Sequence, residues 1–200
     1  VNYKVATCFS DDTWQAYGLS WLQHAKSARL KGFVVGLGLS EDALRSVTEM
    51  GFEYLGIPMQ PRMRAEVFQS FAVKLEKGEF CLWTRPNVKP HAELQTSMDV
   101  LVGTSGASVD DLCQSVINLY DRVAMAASIK DRVVKNYGSV LSTEYILGNR
   151  EFWIGFSGCH SYLGGKEYID QLLPCEDLVL NFFMAFANSF SIEVAPYKEG

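Results

Sequence analysis

Hydrophobic and polar positions alternate between two periods along the first half of the chain. Tyr3 to Phe9 is a short β-rich run that breaks into the polar cluster Ser10-Asp11-Asp12-Thr13. Tyr17, Trp21, Leu22, Ala25 and Ala28 then recur at helical spacing, and Gly32 reads as the close of that helix. Phe33 to Leu37 is unbroken apolar sequence, the mark of a strand buried on both faces of a parallel sheet. Ser40 reads as an N-cap with Glu41 and Asp42 in the first turn, where the helix dipole favours negative charge, and Gly51 ends that helix. Phe52 to Ile57 predicts a third strand, Ala65 to Leu75 a helix closed near Gly78, Phe80 to Trp83 a fourth strand and Val100 to Val102 a fifth. Strands and helices in strict alternation with short connections imply an α/β fold, with a mainly parallel sheet and helices on both faces.

The pattern changes after Gly106. Ser108 and Asp111 make a capping-box-like start to a long helix whose apolar stripe runs through Leu112, Val116, Leu119, Val123 and Ala127. Tyr137 to Gly165 is rich in Gly, Ser and aromatics and shows little periodicity. Leu178 to Phe190, after Pro174, is apolar all round and predicts a buried helix, and Ile192 to Ala195 a last strand. With no repeat, low-complexity tract or linker, the expectation is one domain over 1–200, in two halves, 1–105 and 106–200.

Composition narrows the function. A core is affordable, with 48% apolar and 12% aromatic residues. A net charge of −5 and scattered Lys and Arg argue against nucleic acid and anionic membranes as partners. No stretch reaches the roughly 20 apolar residues of a membrane span, and Val1 to Phe9 reads as a strand rather than a signal peptide. The five cysteines (Cys8, Cys81, Cys113, Cys159, Cys175) are odd in number and widely spaced, so free thiols in a reducing, cytoplasmic compartment are expected. No two have zinc-ligand spacing, and His24, His91 and His160 are isolated.

Open parallel sheets bind ligands outside the carboxyl ends of their strands, which directs attention to Thr7–Asp12, Gly36–Ser40, Pro58–Arg64 and Thr84–Pro90. Gly36-Leu37-Gly38 lacks the third glycine of a dinucleotide fingerprint and follows the second strand rather than the first. Gly155-Phe156-Ser157-Gly158 lacks the Gly two places after the Ser that a hydrolase elbow needs. The segment Phe80-Cys81-Leu82-Trp83-Thr84-Arg85-Pro86-Asn87-Val88-Lys89-Pro90 is the most informative: an apolar strand running into a rigid, polar, Pro-flanked turn.

That segment resembles the one in GT-A glycosyltransferases where an apolar strand enters an Asp-x-Asp motif. There the acidic pair holds a divalent cation against the diphosphate of a sugar nucleotide. Arg85 and Asn87 stand at the two acidic positions, so no metal ligands are expected here, and Mn²⁺ or Mg²⁺ is disfavoured as a cofactor. Arg85 would instead meet the diphosphate directly through its paired donors and permanent charge. Arg62 and Arg64 are further candidates for that contact.

A second segment, Pro174-Cys175-Glu176-Asp177-Leu178-Val179-Leu180-Asn181-Phe182-Phe183, resembles the Glu-Asp helix start of the acceptor half of these enzymes, the exostosin-like group included. The resemblance implies Asp177 or Glu176 as general base. Ser142 to Trp153 resembles the acceptor-binding stretch, with Trp153, Phe156 and Tyr162 as candidate sugar-stacking rings. It also implies a nucleoside site at Thr7, Phe9, Ser10 and Asp11, a nucleotide-sugar donor (UDP-sugar favoured) and a glycan acceptor. Residues 1–105 would be the donor half and 106–200 the acceptor half, in a chain short enough to be one domain of a longer protein. The alternatives are a non-catalytic binding module with the same fold and a nucleotidyltransferase-like α/β enzyme.

Overall fold

A computed structural model describes residues 2–58, 64–90, 92–104, 135, 141–164, 176–187 and 189–195. In these, β1 (Tyr3–Ser10) leads directly into α1 (Asp11–Thr13), a π-helical turn (Trp14–Gly18) and α2 (Leu19–Ser27). Then come β2 (Gly32–Leu37), α3 (Glu41–Glu49), β3 (Glu53–Ile57), α4 (Arg64–Ala72), β4 (Phe80–Thr84) and β5 (Val100–Thr104). The later part supplies β6 (Leu141–Asn149), α5 (Arg150–Gly164), α6 (Glu176–Phe186) and β7 (Ile192–Ala195). The long helix expected from Ser108 lies outside the described residues. No described helix is long and apolar enough to cross a membrane.

The strands form one sheet in the order β3-β2-β1-β4-β6-β5-β7. Every pairing is parallel except those of β6, which runs antiparallel to β4 and β5. The chain therefore has the mainly parallel, helix-flanked α/β architecture that the pattern predicts. Both halves contribute strands to it, since β6 is inserted between β4 and β5.

Alternate residues of each strand face opposite sides, as the period of two dictates. Ala6, Phe33, Val35, Cys81, Trp83 and Ile146 meet α4, α5 and α6 on one side. Val5, Val34, Leu82, Leu101 and Leu147 meet α2 and α3 on the other. On the first side Phe68 packs against Trp83 (4.8 Å), Phe156 (4.9 Å) and Trp153 (5.7 Å, stacked). Each such side chain contributes about 1.5–3 kcal/mol on leaving water.

Local signals behave as their chemistry requires. The Ser40 hydroxyl accepts from the Ala43 N–H at 3.3 Å and caps α3. Gly51 ends α3 in the left-handed region, φ 88°. Gly32 does not close α2. Arg29 takes the left-handed turn there (φ 58°), and Gly32 opens β2, pressed against the Val5 backbone.

The irregular stretch expected between Tyr137 and Gly165 is regular where it is described, forming β6 and the fifteen-residue α5. β6 escapes the pattern because it is buried at seven of nine positions while carrying polar Ser142 and Thr143 just after Leu141, so it neither alternates nor reads as an apolar run.

Candidate functional site

The strand order reverses around β1: the chain passes to β2 on one side and returns to β4 on the other. Ligands of such sheets bind in the crevice at that reversal. Pairing of β1 with β2 continues to Ser10↔Leu37, but pairing with β4 ends at Ala6↔Trp83, so β1 and β4 part above Thr7 and Thr84. Thr7 Oγ1 donates to the Thr84 carbonyl at 2.9 Å, and Trp21 Nε1 donates to the Thr84 hydroxyl at 3.0 Å. These bonds tie β1, β4 and α2 together where the two strands part.

One wall is the start of the helix after β1. The Ser10 and Thr13 side chains cap it reciprocally, each accepting from the other's backbone N–H (3.5 and 2.8 Å). Asp11 stands exposed in the first turn. Tyr54 lies beside it on a shelf of glycine: a Cβ on Gly36 would stand 2.4 Å from the Tyr54 ring. Burial pushes the Tyr54 phenol up from its ordinary value, and nearby Cys8 and Asp11 push it the same way.

The other wall is the turn Arg85-Pro86-Asn87-Val88, closed by Val88 N–H donating to the Arg85 carbonyl at 3.0 Å. The start of β6 orients this turn. Arg85 N–H donates to the Glu144 carbonyl at 3.0 Å, and Arg85 Nη2 donates to Thr143 Oγ1 at 2.8 Å. The β5–β6 register jumps here, from Val102↔Ile146 to Gly103↔Ser142, so Thr143, Glu144 and Tyr145 form a bulge on β6 next to Arg85. Bulges re-aim side chains at sheet edges and beside active sites. A turn offering a guanidinium and one carboxamide does not fit a divalent cation, which takes several hard oxygens.

α6 reaches the same edge. Asn181 Nδ2 donates to the Leu141 carbonyl at 2.8 Å, and its Oδ1 accepts from the Leu141 N–H at 2.9 Å. Leu141 is the first residue of β6, at the edge where β4 ends. Two residues on, Phe183 packs against Phe152, in the first turn of α5 beyond the far end of β6. α6 therefore descends from the crevice edge. Positions 176 and 177 stand about a turn, ~6 Å, further out than Asn181.

The candidate residues divide accordingly. Ser10, Asp11, Arg85 and Asn87 stand at or just beyond the carboxyl ends of β1 and β4, Ser10 chiefly as a helix cap. Thr7 and Phe9 do not reach the crevice with their side chains. Both are fully buried, Thr7 bonded to Thr84 and Phe9 packed edge-on to Trp14 and Trp21 at 5.5 and 6.2 Å. Trp153 and Phe156 are also fully buried, and the Trp153 indole donates to the Cys81 and Gly148 carbonyls at 3.1 and 3.0 Å, leaving neither ring a face for a sugar.

Arg64 opens α4 after β3, Tyr162 lies in α5, and Glu176 and Asp177 open α6, but their side chains are outside the described residues, as is all of Arg62. Tyr54, Thr143 and Asn181 are the additions. A lone carboxamide inside the apolar run Leu178–Phe186 is the signal that points to Asn181, because a buried amide must find partners.

No protein-family model matches this sequence, and no curated protein matches it. Among solved structures the chain is similar to glucosyl-3-phosphoglycerate synthase from Mycobacterium tuberculosis, determined with Mn²⁺, uridine diphosphate and glucosyl-3-phosphoglycerate. The TM-score is 0.48 and the identity 12%, over 82% of this chain and 67% of that one.

Proposed function

We propose that this chain is a GT-A-type glycosyltransferase domain that moves a sugar from a nucleoside diphosphate donor, a UDP-sugar by preference, to a glycan hydroxyl. In this reading Asp11 and Tyr54 hold the nucleoside, and Arg85 with Asn87 meets the diphosphate where the family uses a cation. The acceptor oxygen bonds to the anomeric carbon as the bond from that carbon to the diphosphate oxygen breaks. The electron pair leaves with the diphosphate, and the fixed charge of Arg85 offsets the negative charge that develops there. Asp177 or Glu176 takes the acceptor proton.

The observation that supports this reading most is a common anchorage. Arg85 and Asn181 of α6 are both hydrogen-bonded to Leu141–Glu144, which supports a reading in which the Arg85 turn and the start of α6 act together.

A thermal-shift series with uridine and guanosine diphosphates and their sugars, with Mn²⁺ and with EDTA, tests it. A donor at a hundred times its dissociation constant stabilises by about 2.7 kcal/mol, and the shift is expected to survive EDTA. Absence of any shift sinks the reading. Arg85→Ala is expected to weaken donor binding about tenfold or more, since a charge-assisted bond contributes about 1.5–3 kcal/mol. Unchanged donor affinity in that variant removes Arg85 from the diphosphate site.

A further inference from the structure

We infer that Asn181 is a positioning residue of the proposed transfer reaction: its carboxamide clamps α6 to Leu141 and so sets where the acidic start of α6 stands relative to Arg85. The inference rests on the reading above and adds a residue whose chemistry is indirect.

Asn181 is fully buried in a helix whose neighbours Val179, Leu180, Met184 and Ala185 are apolar and buried. Its side chain engages both backbone groups of one residue, much as a neighbouring strand would. The two bonds give the buried Leu141 N–H and carbonyl partners that a Leu at 181 would not supply. Apolar burial, by contrast, is non-directional and indifferent to polar pairing.

That indifference is the reason for a clamp. Apolar packing lets a helix slide or rotate slightly at little cost, whereas two hydrogen bonds at 2.8 and 2.9 Å fix its height on the sheet. The clamped residue also matters. Leu141 lies just before the bulge at Thr143–Tyr145, where the β5–β6 ladder jumps register. The bulge is held at its other end by Arg85, through Thr143 Oγ1 and the Glu144 carbonyl, and within by Glu144 N–H donating to Ser142 Oγ at 3.1 Å. One short segment thus carries the cationic turn on one end and the acidic helix on the other, with Asn181 as the link to the helix.

The test uses the whole chain. Asn181→Leu is expected to melt cooperatively and to keep the KM for the nucleotide sugar within about twofold. Its kcat should fall roughly 10- to 100-fold, since displacement of a reacting group by about 1 Å has that effect. Thr143→Val, at the Arg85 end, should instead raise the donor KM.

Should Asn181→Leu fail to melt cooperatively, Asn181→Ala, which removes the clamp without adding bulk or charge, is read by the same split between kcat and KM. A folded variant with unchanged kcat, or one in which donor KM and kcat move together, overturns the clamp while the wild-type activity stands. A wild type that binds and turns over no nucleotide sugar overturns the functional reading itself, and the role of Asn181 falls with it.

Discussion

A Cβ on Gly32 would stand 1.8 Å from the Val5 carbonyl oxygen, a backbone atom with no rotamer to retreat into. Gly32→Ala is therefore expected to cost about 3 kcal/mol or more, by forcing β1 and β2 apart. A shifted midpoint in urea unfolding is the check, and a loss under about 1 kcal/mol would show that the strands yield more easily than their contact implies. Tyr3 bears on pH. Burial first, then the charge of Glu93, pushes its phenol up to about 12 from 10.0, against a smaller opposing pull from a backbone bond at Leu94. The folded chain holds this proton more tightly than the unfolded one. The associated stability is present below pH 10 and is lost as pH rises from there toward 12. Burial lifts the Cys159 thiol to about 12 from 9.0, so it acts in the same sense from pH 9 upward. Melting temperatures between pH 8 and 11 should fall, and Tyr3→Phe should flatten the fall. An identical slope in the variant would remove Tyr3 from the account.

Helix α3 shows how legible an element can be. Its cap, its first-turn acids and its terminal glycine are local features with local causes, and Ser40, Glu41, Asp42 and Gly51 act as the sequence suggests. Ser40→Ala should cost about 1 kcal/mol, read by urea unfolding, since the Ala43 N–H loses its acceptor. No loss would mean that water serves as well. α5 was hidden for tertiary reasons. Phe152, Trp153, Phe156, Ser157 and His160 form one buried stripe, but the polar Ser157 and His160 within it and the exposed Ile154 outside it blur the hydrophobic period. Gly155 leaves room for Phe183, whose ring would lie 3.0 Å from an added Cβ. A glycine that accommodates a neighbour looks, in sequence, like a glycine that breaks a helix.

At the scale of the molecule, the carboxyl edge of the sheet was legible and the side-chain directions there were not. Strand alternation pointed to the carboxyl edge, and the edge holds Asp11, Arg85 and Asn87. Thr7 and Phe9 lie past the point where β1 leaves β4, as Ser10 does, but their side chains are buried against Thr84, Trp14 and Trp21 whereas Ser10 caps the next helix. That parting depends on residues 75 or more apart, out of reach of local pattern. The start of α6 was singled out from a resemblance, but its seat on the sheet follows from the long-range pair Asn181 and Leu141.

The place of β6 has a consequence for biosynthesis. Both sheet neighbours of β5, β6 and β7, lie later in the chain, and so does the second neighbour of β4. Once residues 1–104 have left the ribosome, β3-β2-β1-β4 is in hand, β4 with an open edge and β5 without either of its sheet neighbours. The sheet face bearing Cys81 and Trp83 awaits α5 and α6. An open apolar edge of this kind invites association with other chains, and a chaperone is the usual shield. A fragment ending at Thr104 should bind a hydrophobic dye and melt without cooperativity, whereas the full chain melts as a unit. A cooperative fragment would mean that the β3-β2-β1-β4 part can mature before the rest has been made.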